Sequence, residues 1–208
     1  KSWFFRLKLK IIPFLFYIHI LYKSIDMFVQ TEETPNPNTL KFLPGKIVSE
    51  IGPVEFKDKK STNNELIRNL LSVNGVNMVF LGNNFITIKK KDELIWDDLK
   101  HIIISLINDF YSNGNNKCVL DKSNPTEKKE FSDNEIVNKI NEILDKKIRP
   151  AVARDGGDIK FKSFEDGLVT VELKGSCSGC PSSIMTLKQG VQNLLCHYIP
   201  EVKRVEAL

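Results

Sequence analysis

Thiols and imidazoles are scarce in this chain: four cysteines, Cys118, Cys177, Cys180 and Cys196, and three histidines among 208 residues. So few cysteines exclude a scaffold built on disulfides, and reduced thiols are the expectation. Long apolar runs are missing as well. The stretch from Ile11 to Tyr22 is interrupted by Pro13 and His19, and it is too short for a membrane-spanning helix, which needs about 20 apolar residues. No stable membrane insertion is expected. An excess of one charge is also lacking over most of the chain. Of 30 basic and 26 acidic residues, Lys1, Arg6, Lys8, Lys10, Lys23 and Asp26 fall in residues 1–26, which leaves the remainder neutral. Nucleic-acid binding through phosphate neutralisation has no support in a body without net charge. A glycine-rich phosphate loop and a nucleophile–base constellation do not occur. What remains is an ordinary globular composition, 41% apolar and 27% charged, sufficient for one large or two small domains with buried cores.

Residues 1–26 pair a basic start with that apolar stretch. A secretory signal would need a small-residue cleavage site, and one Arg with two Ser are few for an organellar presequence. The segment is read as an upstream stretch ahead of a native start at Met27. A targeting peptide and a membrane anchor are the alternatives.

From Met27 to Tyr111 the pattern mixes strands and helices, which gives a first domain over residues 27–111. Thr34-Pro35-Asn36-Pro37-Asn38 is a turn-rich entry held extended by its prolines, and Thr39–Leu43 follows as a strand. Val76–Leu81 and Phe85–Ile88 flank Gly82-Asn83-Asn84, which predicts a hairpin. Trp96, Leu99, Ile103, Leu106 and Phe110 recur at helical spacing and predict a helix packed on that hairpin. A second helix is expected over residues 61–71. This half clusters no thiols, imidazoles or carboxylates, so a binding or spacing role is its default.

Residues 112–131 carry few apolar groups and are read as a flexible linker. At about 25 Å root-mean-square span it would let the two halves move independently. Cys118 within it is read as incidental. The second domain, residues 132–208, opens on Ser132-Asp133-Asn134-Glu135, a capping box that predicts a helix start. Ile136, Ile140, Ile143, Leu144 and Ile148 then form one apolar stripe running up to Pro150. Beyond Arg154-Asp155-Gly156-Gly157-Asp158, alternating Ile159, Phe161 and Val169, Val171, Leu173 around Asp166-Gly167 predict a hairpin. A helix from Pro181, with Ile184, Leu187, Val191, Leu194 and Leu195 inward, and a closing strand over residues 202–205 complete it. The fold class is α+β, two small domains each with a small sheet and helices on one face.

The chemistry concentrates in Gly175-Ser176-Cys177-Ser178-Gly179-Cys180-Pro181. Cys177 and Cys180 stand two residues apart in a loop that Ser178-Gly179 lets curl, so both sulfurs can face one metal centre. Pro181 suits a first helical turn. That places Cys180 at a helix start, where free N–H groups and the helix dipole favour a thiolate. A structural zinc site would need two more ligands, and neither a second CxxC nor a paired spacing of His101 and His197 supplies them. A thioredoxin-type redox pair expects a parallel α/β unit, which this domain lacks. Two unrelated buried thiols would not be framed by Gly175, Ser178, Gly179 and Pro181. An iron–sulfur cluster needs about four thiolates, so two per chain imply a cluster shared across a two-fold axis. Cys196 lies about 24 Å further along the helix and is read as packing. His197 is read as exposed, and Asp155 and Asp158 as turn and capping residues.

At these residues the sequence resembles the Nfu family of NifU-like iron–sulfur cluster scaffold and carrier proteins. Arg154-Asp155-Gly156-Gly157-Asp158-Ile159, Gly175 to Ser183 and Thr186-Leu187-Lys188 look like the family's C-terminal domain. Thr34-Pro35-Asn36-Pro37-Asn38-Thr39-Leu40-Lys41-Phe42 and Phe85-Ile86-Thr87-Ile88 look like its N-terminal domain. The resemblance covers residues 27–208 and leaves residues 1–26 outside. It implies a binding and transfer protein, not an enzyme. Cys177 and Cys180 of each of two chains would hold one [4Fe–4S] cluster in a homodimer. The cluster would come from upstream assembly machinery and pass to apo iron–sulfur proteins. A dithiol–disulfide oxidoreductase using the same CxxC is the alternative. With residues 1–26 set aside, a bacterial cytoplasm is the expected location; as a presequence they would direct the chain to the mitochondrial matrix.

Overall fold

The computed structural model describes residues 29–112, 118–120, 135–179 and 181–208, with the backbone alone for residues 181–183. Residues 1–26, the expected start at Met27, Ser132 to Asn134 of the capping box, and Cys180 lie outside the described residues.

The N-terminal half is a five-stranded antiparallel sheet with two helices on one face. Its strands are β1 (Gln30–Glu33), β2 (Thr39–Leu43), β3 (Val54–Phe56), β4 (Val76–Leu81) and β5 (Ile86–Lys90), in the order β1-β2-β5-β4-β3. Successive strand residues point to opposite faces. Leu40, Phe42, Val79, Leu81, Ile86 and Ile88 therefore share one face. They pack on Leu66, Ile67 and Leu70 of α1 (Glu65–Ser72) and on Leu99, Ile103, Ile107 and Tyr111 of α2 (Trp96–Ser112). The face of α2 that is most buried runs through Ile107 and Tyr111 rather than Leu106 and Phe110, which lie at its margin. The helix expected from residue 61 begins at Glu65. Asn64 sets that start, its side-chain oxygen accepting from the Ile67 N–H at 3.2 Å.

The linker expected over residues 112–131 is not all detached from this half. Val119 is buried in its core, Ser49 and Leu120 form a parallel bridge, and Asn64 Nδ2 donates to the Val119 carbonyl at 2.8 Å. Val119 and Leu120 are adjacent apolar residues of that stretch, and burying Val119 with Leu120 packed beside the core offsets the cost of fixing the backbone there.

In the C-terminal half, α3 (Glu135–Ile143) passes through a π turn, Leu144–Ile148, into α4 (Arg149–Arg154). The helical path thus continues past Pro150, where the sequence suggested a stop. In an α-helix Pro150 would crowd the carbonyl four residues back; the widened turn, in which the Arg149 N–H reaches the Leu144 carbonyl, makes room. Two strands follow, β6 (Gly157–Glu165) and β7 (Leu168–Gly175), joined through Asp166 and Gly167 with φ of 49° and 84°. Two positive φ values in a two-residue loop match the twist of a hairpin. After α5 (Pro181–Tyr198), β8 (Arg204–Ala207) adds to β7 in parallel, two residues later than the sequence suggested. Val169, Val171 and Leu173 face Ile140, Leu144, Ile148, Val191 and Leu195 in a second core. The molecule is α+β with two domains, each a sheet covered by helices on one face.

Candidate metal centre

Cys177 sits in the turn that carries the chain from β7 to α5. Gly175 leaves the strand with φ of 67°, in the left-handed region that favours glycine. The Ser178 N–H donates to the Gly175 carbonyl at 3.2 Å, and the Ser178 hydroxyl donates to the same oxygen at 2.9 Å. The curl expected for a CxxC loop is present as far as Gly179.

The loop rests on the Arg154–Asp158 turn. The Ser176 N–H donates to the Gly156 carbonyl at 3.2 Å, and the Ser176 hydroxyl donates to the Asp155 carbonyl. Backbone approaches here leave no room for side chains. A Cβ on Gly175 would lie 2.7 Å from the Gly156 oxygen, and one on Gly157 would lie 2.6 Å from the Lys174 oxygen and 2.8 Å from the Cys177 sulfur. The glycine pair of the turn is therefore part of the thiol's own seat. The sequence showed the pair as a tight turn; the topology brings it to the sulfur, because β6 starts where β7 ends.

Cys177 is 6% exposed and packs into the C-terminal core. Burial pushes its thiol above the ordinary range; the Ser176 hydroxyl, 3.8 Å from the sulfur, acts in the opposite sense, and the carboxylates of Asp155 and Asp158 add to the rise. The helix-start argument attached to Cys180, which lies outside the described residues. Asp158 is buried in β6, and burial pushes its carboxyl up against the pull of Arg149, whose Nε lies 3.4 Å away. Asp155 ends α4 and lends its carbonyl to Ser176. Neither pairs with the other as acid and base.

The remaining candidates lie elsewhere. Cys196 is half-buried beside the C-terminal core, Cys118 donates from its sulfur to the Leu120 carbonyl at 3.1 Å, and His101 and His197 are exposed on their helices. Among the described residues, no group of three or more His, Cys, Asp or Glu side chains could hold a metal ion.

One feature escaped the sequence entirely. The face of the N-terminal sheet turned away from α1 and α2 lies against the loop. Thr87 Oγ1 donates to the Gly156 carbonyl at 2.8 Å, Asn36 Nδ2 to the Ser176 carbonyl at 3.1 Å, and Lys89 Nζ to the Ser178 carbonyl at 3.4 Å. Lys41 Nζ donates to the Arg154 carbonyl at 3.2 Å, and Glu55 Oε2 accepts from the Gly175 N–H at 2.8 Å. In the sequence, Lys41, Thr87 and Lys89 alternate with apolar residues, a pattern that marks a solvent face.

Residues 29–114 match the family described as scaffold protein Nfu/NifU N terminal, and residues 140–206 match that described as NifU-like domain. A human protein, NFU1 iron-sulfur cluster scaffold homolog, mitochondrial, is 46% identical over 197 residues, which are 94% of this chain and 76% of that protein. NifU-like protein 4, mitochondrial, of Arabidopsis thaliana is 44% identical, over 86% of this chain and 65% of its own length. A NifU-like protein from Saccharomyces cerevisiae, solved by NMR, is 28% identical over 47% of this chain and 88% of its own, with a TM-score of 0.41. The human and plant relatives are both named mitochondrial, which overturns the expectation of a bacterial cytoplasm.

Proposed function

The chain belongs to the Nfu family of NifU-like scaffold proteins, and from that premise we propose that it is a mitochondrial iron–sulfur cluster carrier. Cys177 and Cys180 of each of two chains hold one [4Fe–4S] cluster as cargo, received from upstream assembly machinery and passed to apo iron–sulfur proteins. The protein binds and transfers; it is not an enzyme. The observation that carries this reading is the seat of Cys177. A sulfur set in a glycine-lined turn between β7 and α5, within the segment matched by the NifU-like domain, is a ligand position built from backbone.

Two sulfurs per chain suit a carrier. A cluster with four thiolate ligands is then held by two chains, and an incoming acceptor thiolate replaces one iron–sulfur bond at a time. Each replacement breaks one bond as another forms, and the departing thiolate takes up a proton.

The test is anaerobic reconstitution of the full chain with iron and sulfide, followed by iron, acid-labile sulfide and molecular mass in one preparation. About four of each per dimer supports the reading. A colourless monomer that forms a Cys177–Cys180 disulfide would replace it with the oxidoreductase reading.

A further inference from the structure

The face of the N-terminal sheet that lacks helices is covered by the other half of the chain. Strands β2 to β5 each place a residue on it against the Arg154–Gly157 turn or the Gly175–Gly179 loop. Lys41, Glu55, Thr87 and Lys89 supply hydrogen bonds, with Asn36 from the entry to β2. Phe80 stands against Gly175, where a Cβ would lie 3.0 Å from its ring. Thr87 is wholly buried and Asn36 and Lys41 nearly so. Burying such groups is costly unless each finds a partner, and each finds one on the thiol loop or its supporting turn. Met78, Phe80 and Phe85, on the same face, pack with Ala153. Polar anchors around a small apolar centre are the make-up of a recognition surface.

We infer that this face is a docking surface for the thiol loop of its own chain, and that the docked arrangement is a closed state that withholds Cys177 from a second chain. The cluster-sharing part of this inference rests on the carrier reading above; the docking does not. In the closed state the Cys177 sulfur turns into the C-terminal core beside Gly157. A cluster held between two chains needs that sulfur on a surface the second chain reaches. Turning it outward alters the backbone of residues 175–178, whose N–H and carbonyls are held by Glu55, Asn36 and Lys89. Release of the N-terminal half and exposure of the ligand are therefore one transition. A cluster that binds the released form shifts the population toward it by its differential affinity.

The experiment uses the iron-free full chain and iodoacetamide, with modification of Cys177 and Cys196 followed separately by fragment mass spectrometry. Small-angle X-ray scattering reports the separation of the halves. Thr87→Lys drives a long cation against the Gly156 backbone, and Glu55→Gln keeps its shape while removing the charge from the Gly175 N–H. Cys177 is expected to react about tenfold faster in Thr87→Lys and about threefold faster in Glu55→Gln, the size of effect that losing one or two docking hydrogen bonds gives. Cys196 keeps its rate, and the radius of gyration rises. An unchanged Cys177 rate in both variants overturns the inference, since the C-terminal core alone would then hide the sulfur. If Thr87→Lys speeds Cys196 as well, that variant has lost its fold and Glu55→Gln decides: faster reaction at Cys177 supports the inference, and no change overturns it. No iron enters these measurements, so a failure of cluster reconstitution leaves their outcome standing.

Discussion

Gly157 and Cys177 share one space: a Cβ on residue 157 would stand 2.8 Å from the sulfur and 2.6 Å from the Lys174 carbonyl oxygen. The carbonyl cannot retreat without disturbing the β6–β7 ladder, where Gly157 pairs with Gly175 and Asp158 with Lys174. Gly157→Ala is expected to lower stability by about 1–3 kcal/mol through overpacking and to displace the sulfur. Urea denaturation reads the first effect and iron content after reconstitution the second. An unchanged midpoint would mean that the loop yields freely.

Cys177→Ser replaces a buried sulfur by a smaller oxygen and removes a proposed ligand, so bound iron should fall to background while helical circular dichroism persists. Cys118→Ser and Cys196→Ser should each retain the iron of the parent chain, because one sulfur bonds the Leu120 carbonyl and the other packs beside the C-terminal core. Iron retained by Cys177→Ser would remove Cys177 from the ligand set.

Asp158 titrates above its ordinary value because it is buried, so the folded chain holds this proton more tightly than the unfolded chain does. Its contribution to stability is complete below the ordinary carboxylate pKa and is lost as pH rises through the raised value. Asp158→Asn removes that slope. As pH rises above the ordinary carboxylate pKa of roughly 4, the wild-type midpoint in urea should fall relative to that of the variant. Parallel curves would show that the carboxyl titrates as it does in water.

Asn64 caps α1 through Ile67 and also ties Val119 to the N-terminal half. Asn64→Ala should cost about 1–2 kcal/mol, measured as a lower denaturation midpoint, with cluster loading unchanged. A variant as stable as the parent would show that water replaces both bonds without loss.

Local patterns were legible wherever a periodic face meets its own neighbours in sequence. The Val76–Leu81 hairpin, the Asp166-Gly167 turn, the helix from Trp96 and the one from Pro181 all follow from alternation, turn residues and helical spacing. Elements fixed from a distance were not legible. Val54–Phe56 is three residues long and exists through pairing with β4. Val119 owes its place to the Val48 carbonyl, which accepts from its N–H, and to the Asn64 side chain, which donates to its carbonyl. Pro150 reads as a stop in any local window, and only the π turn before it lets the helical path continue. At the site, Cys177 stood out through its spacing to Cys180 and the glycines around it. The partners supplied by Asn36, Glu55 and Thr87 did not, because 140, 120 and 69 residues separate them from the loop groups they bind.

The sheet grips the loop by its main chain, at the carbonyls of Gly156, Ser176 and Ser178 and the N–H of Gly175. The hydroxyls of Ser176 and Ser178 turn back into the C-terminal half. In evolutionary terms the two halves are bound by shape rather than by spelling. Serines in the loop can drift without any matching change in the sheet, whereas a side chain gained at Gly156 meets the Thr87 hydroxyl and one gained at Gly179 meets the Lys89 ammonium. Coupled substitution between the halves should therefore gather at the glycines, Gly179 with its φ of 78° among them, and leave Ser176 and Ser178 to vary alone.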